Sequence, residues 1–530
     1  MELFLAVAAV TAIVFLIWDC IEVGRNDASN LVNAVFGSRS MGRRTAVAIA
    51  GVAVVLGATF AAPVMETARS GIFDPTVMTI QMAMIVYITA YIVDTVLLYT
   101  YSAYGMPVST TASLVFELIG ASVAVAAFSQ LNDSEMAWYQ VVHWSKVNTV
   151  FGAIFMSILL SGLGGFLVQR MFRAAIRDVH DDHERVKLHG PWMAGLMLTW
   201  LVWFLLMKGL REVSAVEWVK KTLIDEHGTL MFLLVMWAVM TLLVHVVLKV
   251  RGERGTRTLF RDLAVLGMLS LSFAFGQNDL ANCASPGLSA LWLWHHQHET
   301  TAIASKVAIP MWALFACGML MVVGMMSQNA QRVTRASVNT GSQYDHIALY
   351  APKWCRRIAA WMLKREGKVE ALAPEPRRDE HEKRVHFDAL RAAVMMAVSA
   401  SVIAFASGSG LPVSTTYVTF AAVVSTGMAD RVMSRGDADR KIGRTIWVVF
   451  SWFAGGILAL VASALVAAII VKLSLVGLAI TIGANMVIRY FVKIRSAEHE
   501  RRHHLEATLA ADSQERAQIG AGTDAPPPAN

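Results

Sequence analysis

Charged side chains are scarce in this chain, at 16% of its 530 residues, whereas hydrophobic side chains make up 56%. A soluble chain of this length would be expected to fold into several domains with charged surfaces. Stretches such as 45–64, 141–168 and 446–471 are apolar and long enough to cross a hydrocarbon core of about 30 Å as helices. The shortage of charge therefore excludes an ordinary soluble protein and predicts a polytopic helical membrane protein.

The chain also has few cysteines and lacks a recognisable catalytic signature. Its four cysteines are scattered without a CxxC spacing, so the sequence predicts neither a disulfide framework nor a zinc site. No nucleophile and base pair, metal-ligand cluster or phosphate-cradling glycine loop stands out, and we expect neither an enzyme nor a cofactor. The net charge of +7 reflects lysine and arginine in loops between apolar stretches. That pattern is typical of cytoplasmic loops and does not predict nucleic-acid binding.

Two short polar motifs each occur twice, in the same order, within this apolar sequence. Residues 24–30 read GRNDASN and residues 276–282 read GQNDLAN. Residues 105–111 read GMPVSTT and residues 410–416 read GLPVSTT. Carboxylates, amides and hydroxyls are costly to keep at membrane depth. Their recurrence indicates a duplicated chain and a pathway for a solute or an ion.

The loops after equivalent motifs differ in charge. The loop after the first GxND motif contains Arg39, Arg43 and Arg44, whereas residues 295–299 after the second contain neither lysine nor arginine. The connection after the first PVSTT motif is acidic, and its counterpart at 431–444 is basic. Because basic loops face the cytoplasm, the halves are expected to insert in opposite orientations. The sequence thus predicts an all-α polytopic membrane protein, an inverted-topology repeat with broken or re-entrant helices carrying the PVSTT motifs.

The motif spacing divides the chain into six segments. The interval between motifs is longer in the second half, which predicts an insertion of about 53 residues there. About eleven to thirteen membrane-embedded segments are expected overall. The predicted segments are a first repeat at 1–187, connecting helices at 188–260, the start of the second repeat at 261–327, a cytoplasmic polar insertion at 328–387, the remainder of the second repeat at 388–494 and a disordered polar tail at 495–530.

The PVSTT motifs are predicted to bind an anion. Proline suits the first turn of a helix and serine or threonine can cap it, so a helix is expected to start at each motif. Such a start offers free backbone N–H groups, the positive end of the helix dipole and three hydroxyls, which suit a tetrahedral oxyanion such as phosphate. The alternative is an ordinary N-cap in a broken helix. The predicted phosphate-binding residues are Ser109, Thr110, Thr111, Ser414, Thr415 and Thr416.

The GxNDxxN motifs are predicted to hold the coupling cation. A buried aspartate must be protonated, paired or bound to a cation, and oxygen and amide ligands suit sodium or a proton. The spacing places the three polar residues of each motif on one helix face. The preceding glycine permits local unwinding, which would free carbonyl ligands. The alternative is a pair of hydrogen-bonded clusters that join helices. The predicted cation-coupling residues are Asn26, Asp27, Asn30, Asn278, Asp279 and Asn282.

Three further acids, Asp19, Asp94 and Glu117, lie in apolar segments of the first half. The second half has no acid at the positions equivalent to Asp94 and Glu117. These side chains are predicted either to relay protons or to be satisfied structurally.

At these motifs the sequence resembles the inorganic phosphate transporter (PiT) family, which includes sodium- or proton-coupled phosphate carriers and related sulfate permeases. Both GxNDxxN motifs, both PVSTT motifs and residues 68–74 (ARSGIFD) carry the resemblance, which covers most of the chain outside 328–387 and the tail. It implies an inverted repeat with two re-entrant hairpins, cation coupling at Asp27 and Asp279, and anion binding at the Ser-Thr-Thr runs. A histidine commonly follows those runs in the family, whereas Ala112 and Tyr417 stand there in this chain.

The function expected from these features is secondary transport. The chain is predicted to import inorganic phosphate by alternating access, coupled to a sodium or proton gradient. The alternatives are a sulfate permease of the same fold and a non-transporting membrane nutrient sensor with 328–387 as its output. The expected surroundings are the lipid bilayer of a plasma membrane, the bacterial inner membrane, and a homo-oligomer is compatible with the sequence.

Overall fold

Helices make up almost all of the structure. The computed structural model describes residues 2–61, 65, 72–129, 137–204, 214–299, 309–343, 350–365, 385–432 and 438–523. Most of the 68–74 stretch and of the segment 344–384 therefore lies outside the described residues. The principal helices are α1 (Glu2–Gly37), α2 (Arg43–Thr59), α3 (Ile80–Ala103), α4 (Thr110–Phe128), α5 (Trp144–Ala175), α6 (His183–Phe204), α7 (Thr229–His295), α8 (Met311–Met325), α9 (Gln328–Thr340), α10 (Lys353–Arg365), α11 (Ala389–Gly408), α12 (Thr415–Ala429) and α13 (Ala438–Thr523).

The chain is an all-helical, multi-pass membrane protein. Within the described residues, seven helices are long and apolar enough to cross a membrane, or up to eight if the pair α8 and α9, bent by 69°, forms one broken span. The two longest, α7 and α13, each consist of two helices joined at a kink, at Gly252 and Ser474. The sequence predicted eleven to thirteen membrane-embedded segments, which is more than the seven or eight spans that length and apolarity identify within the described residues.

Each PVSTT motif lies at the turn of a helical hairpin. Helix α3 packs against α4 and α11 against α12, and residues 104–109 and 409–414 connect the two helices of each pair. Gly105 and Gly410 have φ angles of 65° and 71°, in the left-handed region that glycine adopts without steric cost. Helices α4 and α12 start at the motifs, as predicted. The two prolines, however, lie before the first helical turn.

The glycines of the GxND motifs have a different role from the one predicted. Both α1 and α7 are helical through Gly24 and Gly276, so the expected local unwinding is wrong. Each glycine instead touches a neighbouring helix: a Cβ at Gly24 would lie 1.9 Å from the Met321 carbonyl oxygen, and one at Gly276 would lie 2.2 Å from that of Val54. The missing side chain allows α1 to pack on α8 and α7 to pack on α2.

Two of the predicted polar segments contain helix in the structure. Helix α9, placed in the polar insertion by the sequence, packs against α1 and buries Ala330, Val333 and Thr334, so the chain leaves the bundle only after α9. Helix α13 continues to Thr523, within the segment 495–530 that the sequence assigns to a polar tail. This part of the tail contains alanine, glutamate and arginine, which are good helix formers.

Candidate functional site

The four motifs meet at one buried site between the two hairpins and the C-terminal halves of α1 and α7. All twelve residues predicted to bind the anion or the cation are at most 3% exposed. In each half the first asparagine of the GxND motif binds its own half's hairpin. Asn26 Nδ2 donates to the Val108 carbonyl oxygen at 2.8 Å, and Asn278 Nδ2 donates to that of Val413 at 2.6 Å. These bonds hold each hairpin turn against the helix that carries the acid.

Other contacts join one half to the other. Thr416 Oγ1 lies 3.0 Å from both the Val108 carbonyl oxygen and Asn30 Nδ2. Thr111 Oγ1, the equivalent hydroxyl, lies 3.0 Å from the Val413 carbonyl oxygen and accepts from Asn282 Nδ2 at 2.9 Å. The same set of bonds thus occurs twice with the halves exchanged, and both Ser-Thr-Thr runs are bound to the opposite half.

Both aspartates accept several hydrogen bonds. Asp27 Oδ1 accepts from Thr416 Oγ1 and Asn30 Nδ2, each at 2.8 Å, and from Asn26 Nδ2 at 3.1 Å. Asp279 Oδ1 accepts from Asn282 Nδ2 at 2.9 Å and Thr110 Oγ1 at 3.1 Å. The predicted convergence of each polar triplet on one helix face is confirmed. These hydrogen bonds also fix the positions of the two carboxylate groups.

Thr110 lies between the two acids. Its Oγ1 is 3.4 Å from Asp27 Oδ2 and 3.1 Å from Asp279 Oδ1. The side chain of Thr415, the equivalent residue of α12, faces Asp279. The predicted anion-binding and cation-coupling residues are therefore parts of a single cluster.

Ser109 and Ser414 are the N-caps of α4 and α12. Ser109 Oγ accepts from the Ala112 N–H at 3.0 Å, and Ser414 Oγ accepts from the Tyr417 N–H at 3.1 Å. A capping hydroxyl uses an oxygen lone pair and keeps its O–H free to donate to another group. Capping and anion binding are therefore compatible at these residues.

Several oxygen atoms of the site can accept a further bond. Asn26 Oδ1, Asp279 Oδ2 and Asn282 Oδ1 are buried and have no hydrogen-bond partner among the described residues. The buried ion pairs in the described part of the chain involve other acids, so neither Asp27 nor Asp279 is neutralised by a lysine or an arginine there. Hard oxygen ligands beside two acidic groups fit a sodium ion or a proton.

Sequence reasoning missed the second layer of the site. Thr419 Oγ1 donates to Asn30 Oδ1 at 3.2 Å, and Ser407 Oγ donates to Asn278 Oδ1 at 3.4 Å. Thr419 lies one turn after Thr416 on α12, and helical spacing could have identified it. Ser407 lies near the end of α11, before the hairpin turn, and no local pattern distinguishes it.

An aromatic pair covers the site on the side of α12. Tyr417, at the position where the resemblance implies histidine, stacks on Trp452 with ring centroids 3.8 Å apart. Trp452 Nε1 donates to the Pro107 carbonyl oxygen at 3.3 Å. Both rings line a small cavity that also contains Ser109 and Ser113. No sequence pattern indicated that the proline of one hairpin would bind a tryptophan of α13.

Comparisons with known proteins give a family match and a solved structure with a similar fold. Residues 23–338 match the model of the phosphate transporter family, a range that includes both GxND motifs and the first PVSTT motif. A Thermococcus kodakarensis protein named "Putative phosphate permease" is 25% identical over 81% of this chain and 90% of its own length. A Helicobacter pylori protein of the same name is 24% identical over 80% of this chain and 69% of its own length. The solved structure of a protein described as "The sodium-dependent phosphate transporter" superposes with a TM-score of 0.64 at 20% identity, covering 88% of this chain and all of that one, which shows a common fold.

Proposed function

The chain belongs to the phosphate transporter family, and on this premise we propose that it imports inorganic phosphate by alternating access, driven by a sodium or proton gradient. The observation that carries the proposal is the contact between hydroxyls and carboxylates in one buried cluster. Thr110 binds both Asp27 and Asp279 there. A solute and an ion that share one site affect each other's binding, which is the physical basis of coupling.

The phosphate is proposed to bind between the N-termini of α4 and α12. Ser109, Thr110 and Thr111 begin one helix, and Ser414, Thr415 and Thr416 begin the other. Hydroxyls and the positive ends of two helix dipoles would hold the anion without a basic side chain. No buried lysine or arginine contacts this cluster in the described residues. The phosphate would therefore be bound less tightly and released more readily.

The cation is proposed to bind at Asn26, Asp27 and Asn30 and at Asn278, Asp279 and Asn282. Unpartnered oxygens of Asn26, Asp279 and Asn282 support this assignment. A cation there would offset the charge of the acids and of the incoming anion in a region of low dielectric. The solved protein of the same fold is described as a sodium-dependent phosphate transporter, which makes sodium the first ion to test.

The same acceptors favour phosphate over sulfate. Phosphate keeps at least one P–OH group near neutral pH, and that group can donate a hydrogen bond to a carboxylate. Sulfate is fully deprotonated there and has no proton to donate to a carboxylate of the site. A buried acceptor without a donor is costly, so sulfate should bind less well.

Uptake of labelled phosphate into proteoliposomes tests the proposal. The purified chain should accumulate phosphate when a sodium or proton gradient points inward, and unlabelled sulfate should compete poorly. Binding without any uptake would support a membrane sensor instead, and preferred, pH-independent sulfate uptake would support a sulfate permease. We place the protein in the plasma membrane, the bacterial inner membrane, where such gradients are available.

A further inference from the structure

A second acidic cluster lies inside the bundle, apart from the site described above. It consists of Asp19 on α1, Asp94 on α3 and Glu117 on α4, which are 1%, 2% and 0% exposed. All three helices are long and apolar enough to span the membrane. We call these three residues the carboxyl triad. The proposed function gives it no role.

Several carboxylate oxygens of the triad accept no hydrogen bond from a donor group in the described residues. Asp19 faces Asp94 and Glu117, and among the described residues only a neighbouring carboxyl group lies close enough to bond with its carboxylate oxygens. Asp94 Oδ1 and Glu117 Oε2 are buried and unpartnered in the same way. Glu117 Oε1 accepts from Ser113 Oγ at 2.6 Å. Three ionised carboxylates in these positions would repel one another at low dielectric, so the geometry requires positive charge.

A nearby buried acid, unlike the triad, is paired with arginine side chains. Glu22 lies one helical turn after Asp19 and is bound by Arg25 at 2.7 Å and by Arg489 of α13. Among the described residues, no lysine or arginine forms an ion pair with a residue of the triad. The other titratable groups around it are Tyr91 on α3, Cys20 on α1, Cys283 on α7 and Cys317 on α8. None of them supplies a positive charge.

Protons fit the triad better than a metal ion. Within the described residues, no group of three or more histidine, cysteine, aspartate or glutamate side chains could hold a metal ion. A proton needs only one carboxylate oxygen, and neighbouring acids can share it. Protonation would also supply the O–H donors that the unpartnered oxygens lack.

The triad borders the central site on two sides. Ser113, bound to Glu117, lines the same small cavity as Ser109 and Tyr417. Tyr91, one turn before Asp94, donates its hydroxyl to the Cys283 carbonyl oxygen at 2.6 Å, directly after Asn282. Rearrangement of the central site would therefore change the surroundings of the triad.

We propose that Asp19, Asp94 and Glu117 form a proton-binding site that loads and releases a proton in each transport cycle. The proton would bind a carboxylate oxygen while the cluster is open to one side of the membrane and leave to water on the other side. The proposal rests on phosphate import as the function, and it adds a proton to the ion held by the GxND motifs.

Proteoliposomes with equal sodium on both sides test the role of the triad. One pH unit is a tenfold difference in proton activity, so an acidic exterior should drive up to about tenfold phosphate accumulation per coupled proton. Glu117→Gln and Asp94→Asn replace the titrating oxygen by a neutral amide of similar size. Both variants should lose accumulation driven by the pH gradient and keep exchange of labelled for unlabelled phosphate at equal pH. Asp262→Asn, a change at an exposed acid paired with Arg251, is the control and should accumulate phosphate as the native chain does.

Infrared spectroscopy of the purified chain gives a second reading that does not depend on transport. The native chain should show the carbonyl stretch of a protonated carboxyl group, and Glu117→Gln or Asp94→Asn should reduce that band. Amide variants that accumulate phosphate like the native chain, or an unchanged band in both, would overturn the proton site. If the native chain neither takes up nor exchanges phosphate, the proposed function fails, while the infrared result still decides whether the triad holds protons.

Discussion

Thr416 donates a hydrogen bond from its Oγ1 to Asp27 Oδ1 at 2.8 Å, although 389 positions separate the two residues. Its counterpart Thr111 bonds with Asn282 Nδ2 of the other GxND motif at 2.9 Å. Each hydroxyl run is thus bound to the acid-bearing helix of the opposite half. A change in the relative position of the halves would alter both sets of bonds together, which is what the proposed alternating access requires.

Replacement of either central acid should abolish coupled transport. Asp27→Asn and Asp279→Asn keep the size of the side chain and remove the negative charge that would hold the cation. Gradient-driven phosphate uptake should be lost, while the amount of protein inserted in the membrane should stay the same, as judged by quantitative blotting of membranes. Full activity of either variant would remove that residue from the coupling mechanism.

The hydroxyl of Thr416 should contribute to phosphate affinity. Thr416→Val removes the single O–H that lies within hydrogen-bond distance of Asp27 Oδ1 and the Val108 carbonyl oxygen, and a buried acceptor left without its donor costs about 1–3 kcal/mol. The KM for phosphate should rise by about tenfold. Thr416→Ser keeps the hydroxyl and is the matched control, with a KM near the native value. Equal KM values for the valine and serine variants would show that the hydroxyl has no role.

The glycine contacts should be essential for packing. A Cβ in Gly24→Ala would meet the Met321 carbonyl oxygen at 1.9 Å and force α1 away from α8. Overpacking of this kind destabilises a protein by about 1–3 kcal/mol, so the unfolding temperature in detergent should fall. Gly162→Ala on α5 is the control, because nothing lies within 4 Å of its added Cβ. An unchanged unfolding temperature in Gly24→Ala would contradict the close helix contact.

An arginine should hold the ends of three helices together. Arg173 of α5 is bound to Asp388, the N-cap of α11, and to Asp430 after α12 through Nε at 3.0 Å. Arg173→Gln removes the positive charge bound by two mostly buried carboxylates, which keep only hydrogen bonds from Gln169 Nε2 and the Arg391 N–H in the described residues, and the loss costs about 3 kcal/mol. The variant should unfold at lower temperature, whereas Lys187→Gln, in an exposed pair with Glu184, should not differ measurably from the native chain. Equal effects of the two substitutions would show that the Arg173 network has no structural importance.

The sequence predicted the local features of the site more reliably than its long-range contacts. Serine before a threonine-rich apolar run identified the starts of α4 and α12, because N-capping depends on neighbouring residues only. Periodicity placed Asn26, Asp27 and Asn30 on one face for the same reason. Duplication of the motifs indicated that they would lie together, and their hydrogen bonds show that they do.

The sequence did not predict the contacts between helices that are distant in the chain. The close contacts of Gly24 and Gly276 depend on which helix lies opposite, and a glycine before a polar motif is equally compatible with unwinding. The burial of α9 was missed for a related reason. Its polar sequence resembles a loop, whereas Asn33 Nδ2 of α1 donates to Ser337 Oγ of α9 at 3.0 Å. Polar residues that bind each other across helices cannot be identified from composition.

The dependence of phosphate affinity on the coupling ion tests the central claim most directly. Calorimetric titration of the purified chain with phosphate, at several sodium concentrations and pH values, gives the Kd as a function of each cation. If phosphate and cation share the cluster around Asp27 and Asp279, the Kd should decrease as one cation increases, and Asp27→Asn should remove that dependence. A Kd that does not change with sodium or pH in the native chain would contradict the account.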